Sequence, residues 1–247
     1  MARPISYGLI LEGEDAKDFD NAVAEYIWTK YGFQEDVLTA AEAAKVTEID
    51  VHGMELSWIG YISEFPNLQK LDVSDNDLTR LNVKSNAKLT SLKCSNNLLT
   101  ELDVTNNLKL KTLWCSNNYL EELNLQKNTA LTSVKTDNNF LGFLDLSKNT
   151  AITSVSSKSN IHVIPMKKDN DGNYAYDLAN LTGFDASKVS KLSAGSLNGS
   201  VLAVPRGTEK VTFTYKMRDG FSQQFTLRTF ISVAIDSTNF PSEKFRD

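Results

Sequence analysis

A 21-residue period governs the middle of the chain. Leu68, Leu89, Leu110, Leu131 and Ile152 share one phase. Leu71, Leu92, Leu113, Val134 and Val155 follow three residues later, and Val73, Cys94, Cys115, Thr136 and Ser157 two after that. An asparagine then recurs without exception, at Asn76, Asn97, Asn118, Asn139 and Asn160. A fixed period of this length is the mark of a solenoid. One unit cannot bury its apolar residues alone, whereas stacked units bury them as a continuous column.

Each unit has a second half with its own columns: Leu78, Leu99, Leu120 and Leu141; Leu81, Leu102, Leu123 and Leu144; Val83, Val104, Leu125 and Leu146; and Asn86, Asn107, Asn128 and Asn149. The spacing predicts two short extended segments per coil, with side chains alternating in and out. The asparagines belong at the corners. An amide donates and accepts, so it can satisfy turn backbone groups and its counterpart in the next coil.

The runs LTSLKCSNN (89–97) and LKTLWCSNN (110–118) match L-x-x-L-x-L/C-x-x-N. Over about 115 residues the chain thus resembles the leucine-rich repeat family, in its short bacterial, internalin-like form. The resemblance implies a curved solenoid with a parallel sheet on its concave face. It also implies a secreted or cell-surface setting and the binding of macromolecules rather than catalysis. The expected fold class is α+β, in four parts. Residues 1–45 form an N-terminal helical cap, 46–160 the solenoid, 161–236 a small antiparallel β-sandwich-like domain, and 237–247 a tail or the start of a further module.

In the cap, Phe19, Val23, Tyr26, Ile27 and Tyr31 follow helical spacing from a start capped by Asp15 or Asp18. Gly32 breaks that helix, and Thr39 with Glu42 makes a capping box for a second one. The arrangement is EF-hand-like but degenerate. Tyr31 and Phe33 stand where carboxylate ligands belong, and Asp36 where the loop needs glycine, so the expected cap is metal-free. In the first coil, Val46, Ile49, Val51, Leu56, Ile59, Ile62 and Phe65 are inward candidates, as is Leu68, and Trp58 reads as core or cap packing. His52 reads as a surface or turn histidine.

Strands are expected over 161–166, 174–178, 201–204, 210–217 and 221–233, with turns at Asp171-Gly172, Asn198-Gly199 and Asp219-Gly220. The run from Asp169 to Asn173 superficially suggests calcium. Tyr174 occupies the required glycine position, however, and Asn180 the bidentate one, so a hairpin turn is the better reading.

Cys94 and Cys115 fall one repeat apart on adjacent parallel strands. Parallel Cβ vectors hold their Cβ atoms about 4.8 Å apart, beyond the ~3.8 Å of a disulfide. Two buried free thiols are therefore expected. The net charge of −5 and the lack of a basic run argue against nucleic acid as a partner. The apolar run 7–11 is too short for a signal-peptide core, and no segment approaches the ~20 apolar residues of a membrane span.

No phosphate loop, nucleophile elbow or HExxH occurs, and His52 and His162 lie far apart in sequence. The reading is a non-enzyme without a cofactor, a monomer that binds a protein or carbohydrate. The outward columns say where. On the first strand of each coil they run Asp72, Lys93, Trp114, Lys135, Ser156, beside Lys70, Ser91, Thr112, Ser133, Ser154. Trp114 is expected to project from the concave face between Lys93 and Lys135. That points either to an interface hot spot or to a cation–π stack that needs no partner. A weaker site is the rim formed by Leu98, Tyr119 and Phe140, after Asp77, with Phe143 nearby. Stacked rim residues also stabilise one another across strands. A structural spacer of a multi-module adhesin is the alternative reading. A carbohydrate site at Tyr174 and Tyr176 is a weaker third.

Overall fold

The computed structural model describes residues 21–33, 38–168 and 173–231. Expectations for Asp15, Asp18, Phe19, Asp36, the 169–172 turn and the tail 237–247 lie outside the described residues.

Helix α1 (Asn21–Tyr31) buries Val23, Ala24, Ile27 and Trp28. It stops at Gly32, whose φ of +67° suits glycine. The short α2 (Ala40–Ala43) starts with the expected capping box: Thr39 accepts from Glu42 N, and Glu42 accepts from Thr39 N. Phe33 is buried and stacked on Tyr31. The Tyr31 hydroxyl accepts from Thr47 N and Glu48 N and donates to Glu48 O, tying the end of α1 to the first strand.

That strand, β1 (Glu48–Asp50), opens a six-stranded parallel sheet with β2 (Lys70–Asp72), β3 (Ser91–Lys93), β4 (Thr112–Trp114), β5 (Ser133–Lys135) and β6 (Ser154–Ser156), paired in chain order. The register sets Ile49, Leu71, Leu92, Leu113, Val134 and Val155 side by side. Each strand is three residues long because only its central side chain turns inward. The in-pointing columns are buried, including all the first-coil candidates; Leu123 and Val155 are only half-buried. Trp58 departs from expectation. It is 48% exposed, lies against Gly60, and meets Tyr61 edge-on at 5.2 Å. Gly60 lacks the Cβ that would occupy the space of the indole.

The asparagines close the corners through backbone groups of neighbouring coils. Asn97 Nδ2 donates to Val73 O and Cys94 O, and Asn97 Oδ1 accepts from Leu78 N. Asn118 repeats the pattern one coil on. The second column uses only its amide nitrogens, as when Asn107 donates to Val83 O and Asn86 O. Cys94 and Cys115 are buried free thiols.

Beyond the solenoid, seven strands form one mixed sheet rather than the expected antiparallel arrangement. They are β7 (Ile161–Lys168), β8 (Tyr174–Asp177), β9 (Val189–Ser190), β10 (Ser196–Asn198), β11 (Val201–Val204), β12 (Lys210–Arg218) and β13 (Phe221–Ile231), in the order β10-β11-β8-β7-β13-β12-β9. Long β7 serves both halves: residues 161–166 pair parallel with β13, and 167–168 pair antiparallel with β8. Val211, Phe213, Tyr215 and Met217 alternate into a buried face with Phe225 and Leu227. The Gly199 and Gly220 turns hold positive φ as expected.

This sheet packs against the second half of the last coils. Phe143 meets Phe184 at 5.4 Å and Tyr215 at 5.2 Å. Lys188 pairs with Asp145 at 2.9 Å, Leu146 N donates to Met217 O, and Arg218 Nη1 donates to Asn149 O. Among the described residues, no helix is long and apolar enough to cross a membrane.

Candidate functional site

The outer face of the parallel sheet carries the side chains that flank each inward residue. Trp114 sits half-buried at its middle. Lys135 Nζ stands 3.9 Å from the indole ring centroid and Lys93 Nζ 5.1 Å, from the strands on either side. The three candidates are thus one cluster. The indole Nε1 donates to Ser133 Oγ at 3.2 Å. Lys93 also pairs with Asp72 at 3.0 Å. Burial pushes the Asp72 carboxyl up, but hydrogen bonds from Lys93 and Ser74, together with the lysine charge, outweigh it and hold the group below its usual range.

Toward the rim the next outward positions are Ser74, Ser95, Ser116, Asp137 and Lys158. Asp137 accepts from Ser156 Oγ and Lys158 N and, more loosely, from Ser116 Oγ. Beyond them runs a feature missed in the sequence. Asn96 donates to Asp75, Asn117 to Asn96, and Asn138 to Asn117, at 2.5–2.6 Å, making an exposed amide ladder. These residues hold φ between +53° and +58°, a region that asparagine and aspartate tolerate better than most side chains. The available signal was the first member of each doubled asparagine, 96–97, 117–118 and 138–139.

Leu98, Tyr119 and Phe140 form the rim itself and are 38%, 46% and 38% exposed. The Tyr119 and Phe140 rings stack at 5.9 Å. Phe143 does not belong to this strip. It lies past the inward Leu141, on the flank covered by the second sheet, and its ring is taken up by Phe184 and Tyr215. Tyr174 and Tyr176 are half-buried against the core.

Two hollows lie elsewhere, on the second-half side of the coils. One of about 180 Å³ sits at the junction between Glu122, Phe143, Leu181 and Gly183. A wider groove of about 700 Å³ carries Arg80, Lys84, Glu101, Asp103 and Glu122. Neither includes Trp114. His52 is exposed and bonded to Asp50 at 2.7 Å, and among the described residues no three metal-capable side chains cluster.

No family model matches the chain, and no curated protein matches it. Solved structures do. Internalin InlF of Listeria monocytogenes, 23% identical, aligns over 60% of this chain and 44% of its own, with a TM-score of 0.51. This chain therefore spans under half the length of that internalin. The functional domain of InlJ from the same organism, whose structure is described as including a cysteine ladder, is 14% identical over 78% of this chain and 70% of its own (TM-score 0.43). A leucine-rich repeat protein of Leptospira interrogans is 26% identical over 50% and 34% (TM-score 0.45). The parallel-sheet solenoid and the InlF match define a leucine-rich repeat fold. In fold the chain is similar to the solved structure of a bacterial internalin.

Proposed function

We propose that the chain is a non-catalytic recognition module that binds a protein or glycan through the concave face of its repeats. Trp114, Lys93 and Lys135 form the contact. One observation carries this reading: a large aromatic ring stands at the middle of the open sheet face, among columns otherwise made of hydroxyls, lysines and one aspartate. Tryptophan in such a setting supplies much contact area for few rotatable bonds. A secreted or cell-surface location belongs to the reading by family resemblance. So do a capping role for α1 and α2 and a sandwich-like packing of the second sheet. The rim of Leu98, Tyr119 and Phe140 is a secondary contact, its rings held in place by their own stacking. The test is Trp114→Ala in the full chain. Partner affinity should fall at least about tenfold, which is ~1.4 kcal/mol, with an unchanged thermal midpoint. Unaltered affinity sinks the concave-face reading.

The spacer alternative rests on a different observation, the aromatic and ionic contacts that lock the solenoid to the second sheet. In that case the module transmits orientation and binds nothing at Trp114.

A further inference from the structure

Charge is distributed unevenly over the open sheet face. On the first strands outward charges are paired off: Glu48 with Lys30 and Lys70, Asp50 with His52, and Asp72 with Lys93. The later strands differ. Among the described residues neither Lys135 nor Lys158 has an ion-pair partner, and the oxygens of nearby Asp137 already accept from Ser116, Ser156 and the Lys158 backbone. Lys135 therefore stands over the ring of Trp114 without an ion-pair partner among the described residues.

The surroundings narrow what would answer it. Thr112 on the same strand and Ser91 and Ser133 on the adjacent strands set hydroxyls beside the ring, and Ser154 and Ser156 continue the rows one strand further on. Protein-binding hot spots sit in well-packed, desolvated pockets, and the hollows described along the coils, the helical end and the second sheet do not include Trp114. Beyond the hydroxyls runs the amide ladder. Asn96 and Asn117 each spend one N–H and one oxygen lone pair on their neighbours and keep a donor and an acceptor for a ligand. Rows of mixed donors and acceptors beside an aromatic face suit sugar hydroxyls and the C–H face of a pyranose ring. The rows recur at each coil, about 4.8 Å apart, so a saccharide chain crossing the strands meets equivalent groups repeatedly.

We propose that the ligand of this face is an acidic carbohydrate, with a sugar carboxylate on Lys135, its ring against Trp114 and its hydroxyls on the serine and asparagine rows. This rests on the concave-face reading above and narrows it to one ligand class.

The experiment is calorimetric titration of the full chain with two acidic probes and their neutral counterparts. The probes are oligogalacturonate against its methyl ester, and sialyllactose against lactose. At least one acid should bind, its neutral counterpart should bind about tenfold more weakly or not at all, and rising salt should weaken the acid, because exposed charges are screened beyond ~8–10 Å. K135Q and W114A should each abolish or reduce binding about tenfold. W114F, which keeps a ring, should retain most of it. K84Q, on the opposite flank, should change nothing. Equal binding of a neutral counterpart, full binding by K135Q, or no binding of either acid overturns the proposal. A protein ligand whose affinity depends on Trp114 but not on Lys135 overturns the acidic sugar while sustaining concave-face recognition. Insensitivity of every ligand to W114A removes both.

Discussion

Asn96 and Asn97 are neighbours in sequence with different tasks. Asn97 is buried and serves backbone groups of two coils. Asn97→Ala strands several of those groups, and we expect a loss on the order of 3 kcal/mol in urea unfolding. Asn96 is exposed and holds a left-handed φ of +56°. Asn96→Gly should stay within about 1 kcal/mol of the parent, since glycine tolerates that region, while Asn96→Val should cost clearly more. The buried columns were legible in the sequence because burial forces a strict period. The exposed ladder was not, because its asparagines number three and the column ends in Asp75 and Ser159. Cys94 and Cys115 were readable from strand geometry. Burial raises both thiols, Cys115 to about 12, so a disulfide reagent at pH 8 should label neither until the chain unfolds. His52 is raised above its usual value by its hydrogen bond to Asp50 and the nearby carboxylate charge. Its contribution to stability is therefore complete below the ordinary histidine pKa and fades as pH rises through the folded value. Asp50→Asn should lower the His52 titration midpoint followed by NMR.

At the scale of elements, the first coil depends on what precedes it. Tyr31 supplies one hydroxyl to three backbone groups at the start of β1, so Tyr31→Phe should cost on the order of 2 kcal/mol in thermal or urea unfolding. The EF-hand comparison assigned Tyr31 a failed ligand position and missed this use. Thr39→Ala removes half of a capping box and should cost about 1 kcal/mol. The phase of β2 to β6 was legible, since one inward side chain per strand fixes it, but of the two extended segments expected in each coil only the first forms a strand among the described residues. The second sheet was legible only in its longer strands. β9 and β10 span two and three residues, too few to show alternation. The parallel partner of β7 depends on chain path, which local pattern does not encode. Trp58 was misplaced for a similar reason: its ring rests on Gly60, outside the coil, and a glycine two residues on does not announce a platform.

For the whole molecule, the junction decides whether solenoid and second sheet behave as one body. Phe143 was read as rim because it lies near Phe140 in sequence, yet it anchors the junction with Phe184 and Tyr215. Phe143→Ala should cost roughly 2–4 kcal/mol, and calorimetry should resolve two transitions where the parent has one. Binding should be little altered, because Phe143 lies off the open face. The recognition account itself comes down to one indole among three. Trp28 is buried in the helical region, Trp58 lies exposed over Gly60, and Trp114 stands on the open face. Each indole N–H gives its own NMR signal, and oligogalacturonate or any protein ligand can be titrated against all three. The account predicts that the Trp114 signal moves with saturation while those of Trp28 and Trp58 hold still. A ligand that saturates the chain and leaves Trp114 unmoved would contradict it.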